Sequence, residues 1–153
     1  MKLFGNNSMN SEPTLIPGII LSDMVIREQG TNKASCIGVF HAFTLPQFPH
    51  NIGGFFATIG ITNIREQLEE MNATARLEEP GSGHVLASSS AKLQFHGGGS
   101  GLTPQMVIDL SFPFKAVTLS HAGTYHLVIL VNNEEVGRRP LEVISITSAR
   151  NPQ

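Results

Sequence analysis

Apolar residues recur at every second position along most of this chain, in short runs cut by proline, glycine, asparagine and serine clusters. That period places alternate side chains on opposite faces of an extended backbone, so the runs are expected to be strands of sheets buried on at least one face. Two examples carry the pattern. Met71, Ala73, Ala75 and Leu77 alternate with Asn72, Thr74, Arg76 and Glu78, and Phe55, Ala57, Ile59 and Ile61 alternate with Phe56, Thr58 and Gly60. A run over residues 34–44 is almost wholly apolar and is expected to be covered on both faces or central in its sheet. The stops follow from chemistry: Pro46, Pro49 and Pro113 cannot donate to a ladder, and Gly30 supplies positive φ in Gln29-Gly30-Thr31-Asn32.

Seven to eight such strands are expected, with one short helical turn near residues 63–70, where Asn63 and Glu66 have capping-box spacing. The chain end is the plainest part. Residues 125–131 and 136–146 flank Asn132-Asn133, a pair that tolerates positive φ, and read as a hairpin. Residues 1–14 lack periodicity and read as a flexible leader, residues 15–147 as one β-sandwich domain, and 148–153 as a tail. A chain of 153 residues can bury about 70% of its unfolded surface, so it needs neither metal nor disulfide to be stable.

Charge and cysteine content narrow the function classes. Ten basic residues against twelve acidic ones, with no basic run, leave no electrostatic footprint for nucleic acid. The charged fraction, 14%, is low for a globular domain and fits a surface that rests against neighbours. A single cysteine, Cys36, cannot form an internal disulfide, and the polar start carries no secretory h-region, so a cytoplasmic location is expected. The longest apolar run, 19–26, is interrupted by Ser22 and Asp23 and is too short to span a bilayer.

The segment Gly123-Thr124-Tyr125-His126-Leu127 resembles the corner of immunoglobulin-like folds, in which a tyrosine opens the penultimate strand and bonds to nearby backbone. Leu127 stands where an antibody domain would carry cysteine, and the chain has no tryptophan, so it is not of antibody type. Ile20-Leu21-Ser22-Asp23, Lys33 to Phe40, Phe48-Pro49, Phe112-Pro113, Val131 to Val136 and Pro140 to Val143 together resemble an uncharacterised family of small bacterial proteins. That resemblance implies an all-β, immunoglobulin-like antiparallel sandwich and carries no activity.

Catalytic equipment is not evident. His41, His50, His84, His96, His121 and His126 show no metal-ligand spacing, and Cys36 has no cysteine partner. Gly97 to Gly101 lacks the lysine of a phosphate loop and precedes a strand, not a helix. Asp109 shares a polar face with Ser111, while Asp23 sits between Leu21 and Val25 and needs a backbone amide or Arg27 as partner. The expected role is a non-enzymatic protein-binding or scaffold module that associates with itself or another protein, without cofactor, nucleic acid or membrane. Tyr125, Gly123, Asn132 and Asn133 would frame the fold, and Phe48, Phe56 and Asp23 would serve interaction. Two alternatives stand beside it: a structural subunit of a phage-derived or cellular particle, and a small-ligand or metal-binding enzyme using the loop histidines His41, His50 and His96.

Overall fold

The computed structural model describes residues 14–62, 70–94 and 107–149, and these are almost entirely strand. In chain order they form β1 (Thr14–Arg27), β2 (Ala34–Phe40), β3 (Ala42–Leu45), β4 (His50–Ile52), β5 (Phe55–Thr62), β6 (Glu70–Glu78), β7 (Val85–Gln94), β8 (Ile108–Phe114), β9 (Val117–Leu119), β10 (Gly123–Val131) and β11 (Glu134–Ser145). A single turn of helix, α1 (Ile146–Ala149), follows. Among the described residues eleven strands stand where seven to eight are expected, because β3, β4 and β9 are three or four residues long and give no periodic signal of their own. The helical turn expected near 63–70 falls on 63–69, outside the described residues, and Glu70 already belongs to β6.

The strands make a four-stranded sheet in the order β2-β1-β5-β8, a five-stranded sheet in the order β3-β11-β10-β6-β7, and a small β4-β9 pair. Pairings are antiparallel except β3 against β11, which is parallel. Period-two patterning decides which faces meet. Leu21, Ala57, Ile59, Ile61 and Phe112 of the first sheet join Met71, Ala73, Ala75, Leu77, Leu127, Ile129 and Leu141 of the second in one buried cluster. At roughly 25 cal/mol per Å2 of apolar surface removed from water, this shared core is the main stabilising term.

Two sequence expectations fail for a common reason. Residues 34–44 are not one doubly covered strand: the chain leaves the first sheet after Phe40 and enters the second at Ala42, so β2 is an edge strand in which Ile37 and Val39 face solvent. Pro113 does not end β8, which continues to Phe114 with Pro113 opposite Phe56. Since β8 is also an edge, its outer side needs no donor, and proline is tolerated there.

Candidate interaction surface

The β1–β2 hairpin leaves the body of the first sheet and turns at residues 28–33. Glu28 N–H donates to the Lys33 carbonyl and Asn32 N–H to the Glu28 carbonyl, both at 2.9 Å. Gly30 and Asn32 supply the positive φ values, 94° and 58°, that the turn requires. Beyond Ser22, which pairs with both Val39 and Phe56, β1 pairs among the described residues with β2 and not with β5.

Arg27 fixes the path of this ribbon. Its guanidinium donates to the Asn32 carbonyl at 3.2 Å and to Ser111 Oγ at 3.3 Å. Ser111 lies in the row Ile20–Thr58–Ser111, seven residues back along β1 from Arg27. A straight strand would separate them by roughly 23 Å at 3.3 Å per residue, far beyond the reach of an arginine side chain. The ribbon therefore curls back over the outer face of the first sheet, where Thr58 is buried and bonds Ser111 at 3.0 Å.

Curling sorts the side chains of the ribbon. Val25, Arg27, Ala34 and Cys36, on the face toward the body, are half-buried. Met24 (52% exposed), Ile26 (48%), Ile37 (47%) and Val39 (50%) point away from it, with Met24 directly opposite Ile37. The exposed outward residues of the paired segment, Met24 and Ile26 on β1 and Ser35, Ile37 and Val39 on β2, include no charge. Large apolar side chains thus stand on the solvent side of a ribbon whose inner face holds small and polar ones.

The residues singled out from sequence are distributed differently. Asp23 is exposed, and its carboxylate lies against Gly38, in the space a side chain at that position would need. Gly38 adopts φ 69°, so the glycine serves both the backbone and the close approach. Arg27 makes no bond to Asp23 and is engaged by Asn32 and Ser111 instead. Phe56 is half-buried in the row containing Val39 and Ser22, whereas Phe48 packs against the core, its bond to Pro49 being cis. Met24, Ile26, Ile37 and Val39 were missed by sequence reasoning, because a purely apolar stretch is the same pattern whether buried or bare.

Tyr125 is fully buried and its hydroxyl donates to the His121 carbonyl at 2.8 Å. Burial, partly offset by that hydrogen bond, raises its phenol above the usual value of 10.0. Gly123 holds φ 149° beside Pro80, where a side chain would crowd the proline ring. Asn132 and Asn133 take φ values of 49° and 67° in the two-residue loop closing β10–β11.

The remaining candidate chemistry is sparse. A groove of about 690 Å3 runs between the edges β7 and β8, and among the described residues Lys115 is the one titratable side chain lining it. Among the described residues no three of His, Cys, Asp and Glu come together in a metal-binding arrangement. His41 Nδ1 accepts from the Arg139 guanidinium, which also donates to the Ile19 carbonyl at 2.5 Å, while His50 pairs across β4–β9 with Leu119. His96 and the Gly97–Gly101 loop lie outside the described residues. No helix of the described residues is long and apolar enough to cross a membrane.

A family model described as a family of unknown function, DUF6941, matches residues 18–144. The chain belongs to the DUF6941 family. The match spans β1 from Gly18 to the penultimate residue of β11, so the curled hairpin, the Tyr125 corner and the closing β10–β11 pair all lie inside the DUF6941 unit. No curated protein matches the chain.

Proposed function

We propose that this DUF6941 domain is a non-enzymatic protein-binding module, folded as an immunoglobulin-like sandwich, that works through the outer face of the β1–β2 hairpin. The fold reading is supported by the pairing of β5 with β8 in one sheet, the order β11-β10-β6 in the other, and the Tyr125 corner. The observation that carries the function is the charge-free patch of Met24, Ile26, Ile37 and Val39. A patch of a few hundred Å2 is at the upper end of what a soluble monomer exposes, and such patches mark contact surfaces. The lone Cys36 supports a reducing, cytoplasmic setting.

A photo-crosslinking amino acid at Ile26, compared with one at Ser90 on β7, tests this in living cells. Protein adducts at Ile26 and none at Ser90 are expected. Absence of adducts at Ile26 removes the hairpin face as a contact surface.

A further inference from the structure

We propose that the outer part of the β1–β2 ribbon, from Met24 to Ile37, is a flap that pivots about Asp23 and Gly38 and is pinned shut over the first sheet by Arg27. The flap goes beyond the protein-binding reading above and needs no partner, being a property of the hairpin alone.

The ribbon is anchored on one side of a definite point. Leu21 is fully buried, and Phe40, opposite it in the ladder, packs on Phe43 with ring centroids 4.7 Å apart and meets Phe55 edge-on at 5.9 Å. Further out the core gives no grip. Among the described residues Val25, Ala34 and Cys36, though half-buried, belong neither to the buried cluster nor to the apolar residues packed against it. Between these two regions the ladder is interrupted: pairing runs through Ser22–Val39 and resumes at Met24–Ile37, passing over Asp23 and Gly38. Gly38 sits there at φ 69°. A glycine beside a missing rung can absorb a change of backbone angle that a side chain would resist, which is what a hinge requires.

The pin is polar, and both of its halves have partners once it is drawn. Arg27 donates to Ser111 Oγ of the sheet beneath at 3.3 Å. When the flap lifts, Arg27 keeps the Asn32 carbonyl, 3.2 Å away within the flap, and Ser111 keeps Thr58 at 3.0 Å. Breaking a hydrogen bond is costly chiefly when it strands a buried group, and here none is stranded, so lifting needs far less than unfolding. Cys36 turns to solvent in the same motion, because it shares the inner face with Val25, Arg27 and Ala34.

Cys36 is the single cysteine of the chain, so thiol labelling of the full chain reads the flap directly. An aromatic disulfide reagent is applied at fixed pH across subdenaturing urea to wild type, Arg27→Gln, Ser111→Ala and the control Ser90→Ala on β7. Wild type is expected to label more slowly than urea-unfolded chain, faster than global unfolding permits, and almost independently of urea, since lifting exposes little surface. Arg27→Gln and Ser111→Ala should each speed labelling by about fivefold or more, and Ser90→Ala should not. Amide exchange separates a hinge from local melting: a flap that lifts as a unit keeps its β1–β2 ladder protected while Cys36 reacts. Labelling with the full urea dependence of global unfolding, or at a rate that neither Arg27→Gln nor Ser111→Ala changes, overturns the proposal. Ladder amides that exchange as readily as Cys36 labels overturn it as well, because the ribbon then melts and does not pivot.

Discussion

Tyr125 shows how much one side chain can report. It is the only tyrosine in the chain, which has no tryptophan, so tyrosinate absorbance measures this phenol without interference. In the unfolded chain it ionises near pH 10, and in the fold burial raises that value, with the bond to the His121 carbonyl opposing. The stabilising contribution of the neutral phenol is therefore whole below about pH 10 and is lost as pH climbs through the folded value. Spectrophotometric titration of native protein should give a midpoint above that of urea-unfolded protein. Tyr125→Phe should cost about 1 kcal/mol at neutral pH, seen in the urea midpoint, and should abolish the part of the alkaline destabilisation that belongs to this group. A titration midpoint equal to that of unfolded protein would contradict the buried corner.

At the scale of elements, the two hairpins separate what sequence discloses from what it conceals. β10–β11 was legible because turn chemistry and alternation agree: Asn132 and Asn133 both sit at positive φ, and Leu127, Ile129 and Val131 are all buried. Asn132 does more than turn the chain. Its Oδ1 accepts from Asn72 N–H at 3.0 Å and its N–H donates to the Asn72 carbonyl at 2.8 Å, tying the loop to β6. Asn132→Gly keeps the backbone conformation but loses the side-chain bond, and should cost about 1 kcal/mol by thermal melting, whereas Asn133→Gly should cost a few tenths at most. The β1–β2 hairpin was legible as strand and turn but not as a curled ribbon, because the contact that bends it joins Arg27 to Ser111 across 84 positions of sequence. Its local chemistry is testable through Gly38, at φ 69° and packed on Asp23. Gly38→Ala should destabilise by roughly 1–3 kcal/mol, and Asp23→Gly in the same chain should recover only the part due to crowding, since the backbone strain persists. Full recovery by Asp23→Gly would show that φ carries no cost there.

For the whole molecule, what matters is how two sheets become one body, and here twin residues give the sharpest contrast. Alternation alone assigns Phe55 and Phe56 to opposite faces but cannot rank the faces, because both residues are equally apolar. The ranking comes from neighbours distant in sequence. Phe55 stacks on Phe114 of β8, directly opposite in the ladder, with ring centroids 4.8 Å apart and planes 6° from parallel. It also meets Phe40 of β2 and Phe43 of β3 edge-on, at 5.9 and 6.5 Å. Since β3 belongs to the five-stranded sheet and the others to the four-stranded one, Phe55 is the hub through which this end of the core joins the sheets. Replacing a buried phenylalanine by alanine removes its transfer free energy and leaves a cavity, about 3–5 kcal/mol together, a large share of the 5–15 kcal/mol that holds a domain folded. Phe56 is half-buried, and its truncation should cost about 1 kcal/mol. Urea unfolding of Phe55→Ala and Phe56→Ala, followed by Tyr125 fluorescence, should therefore show a far lower midpoint for the first with an unchanged slope. Equal losses at the two positions would mean that the sheets are not joined through Phe55.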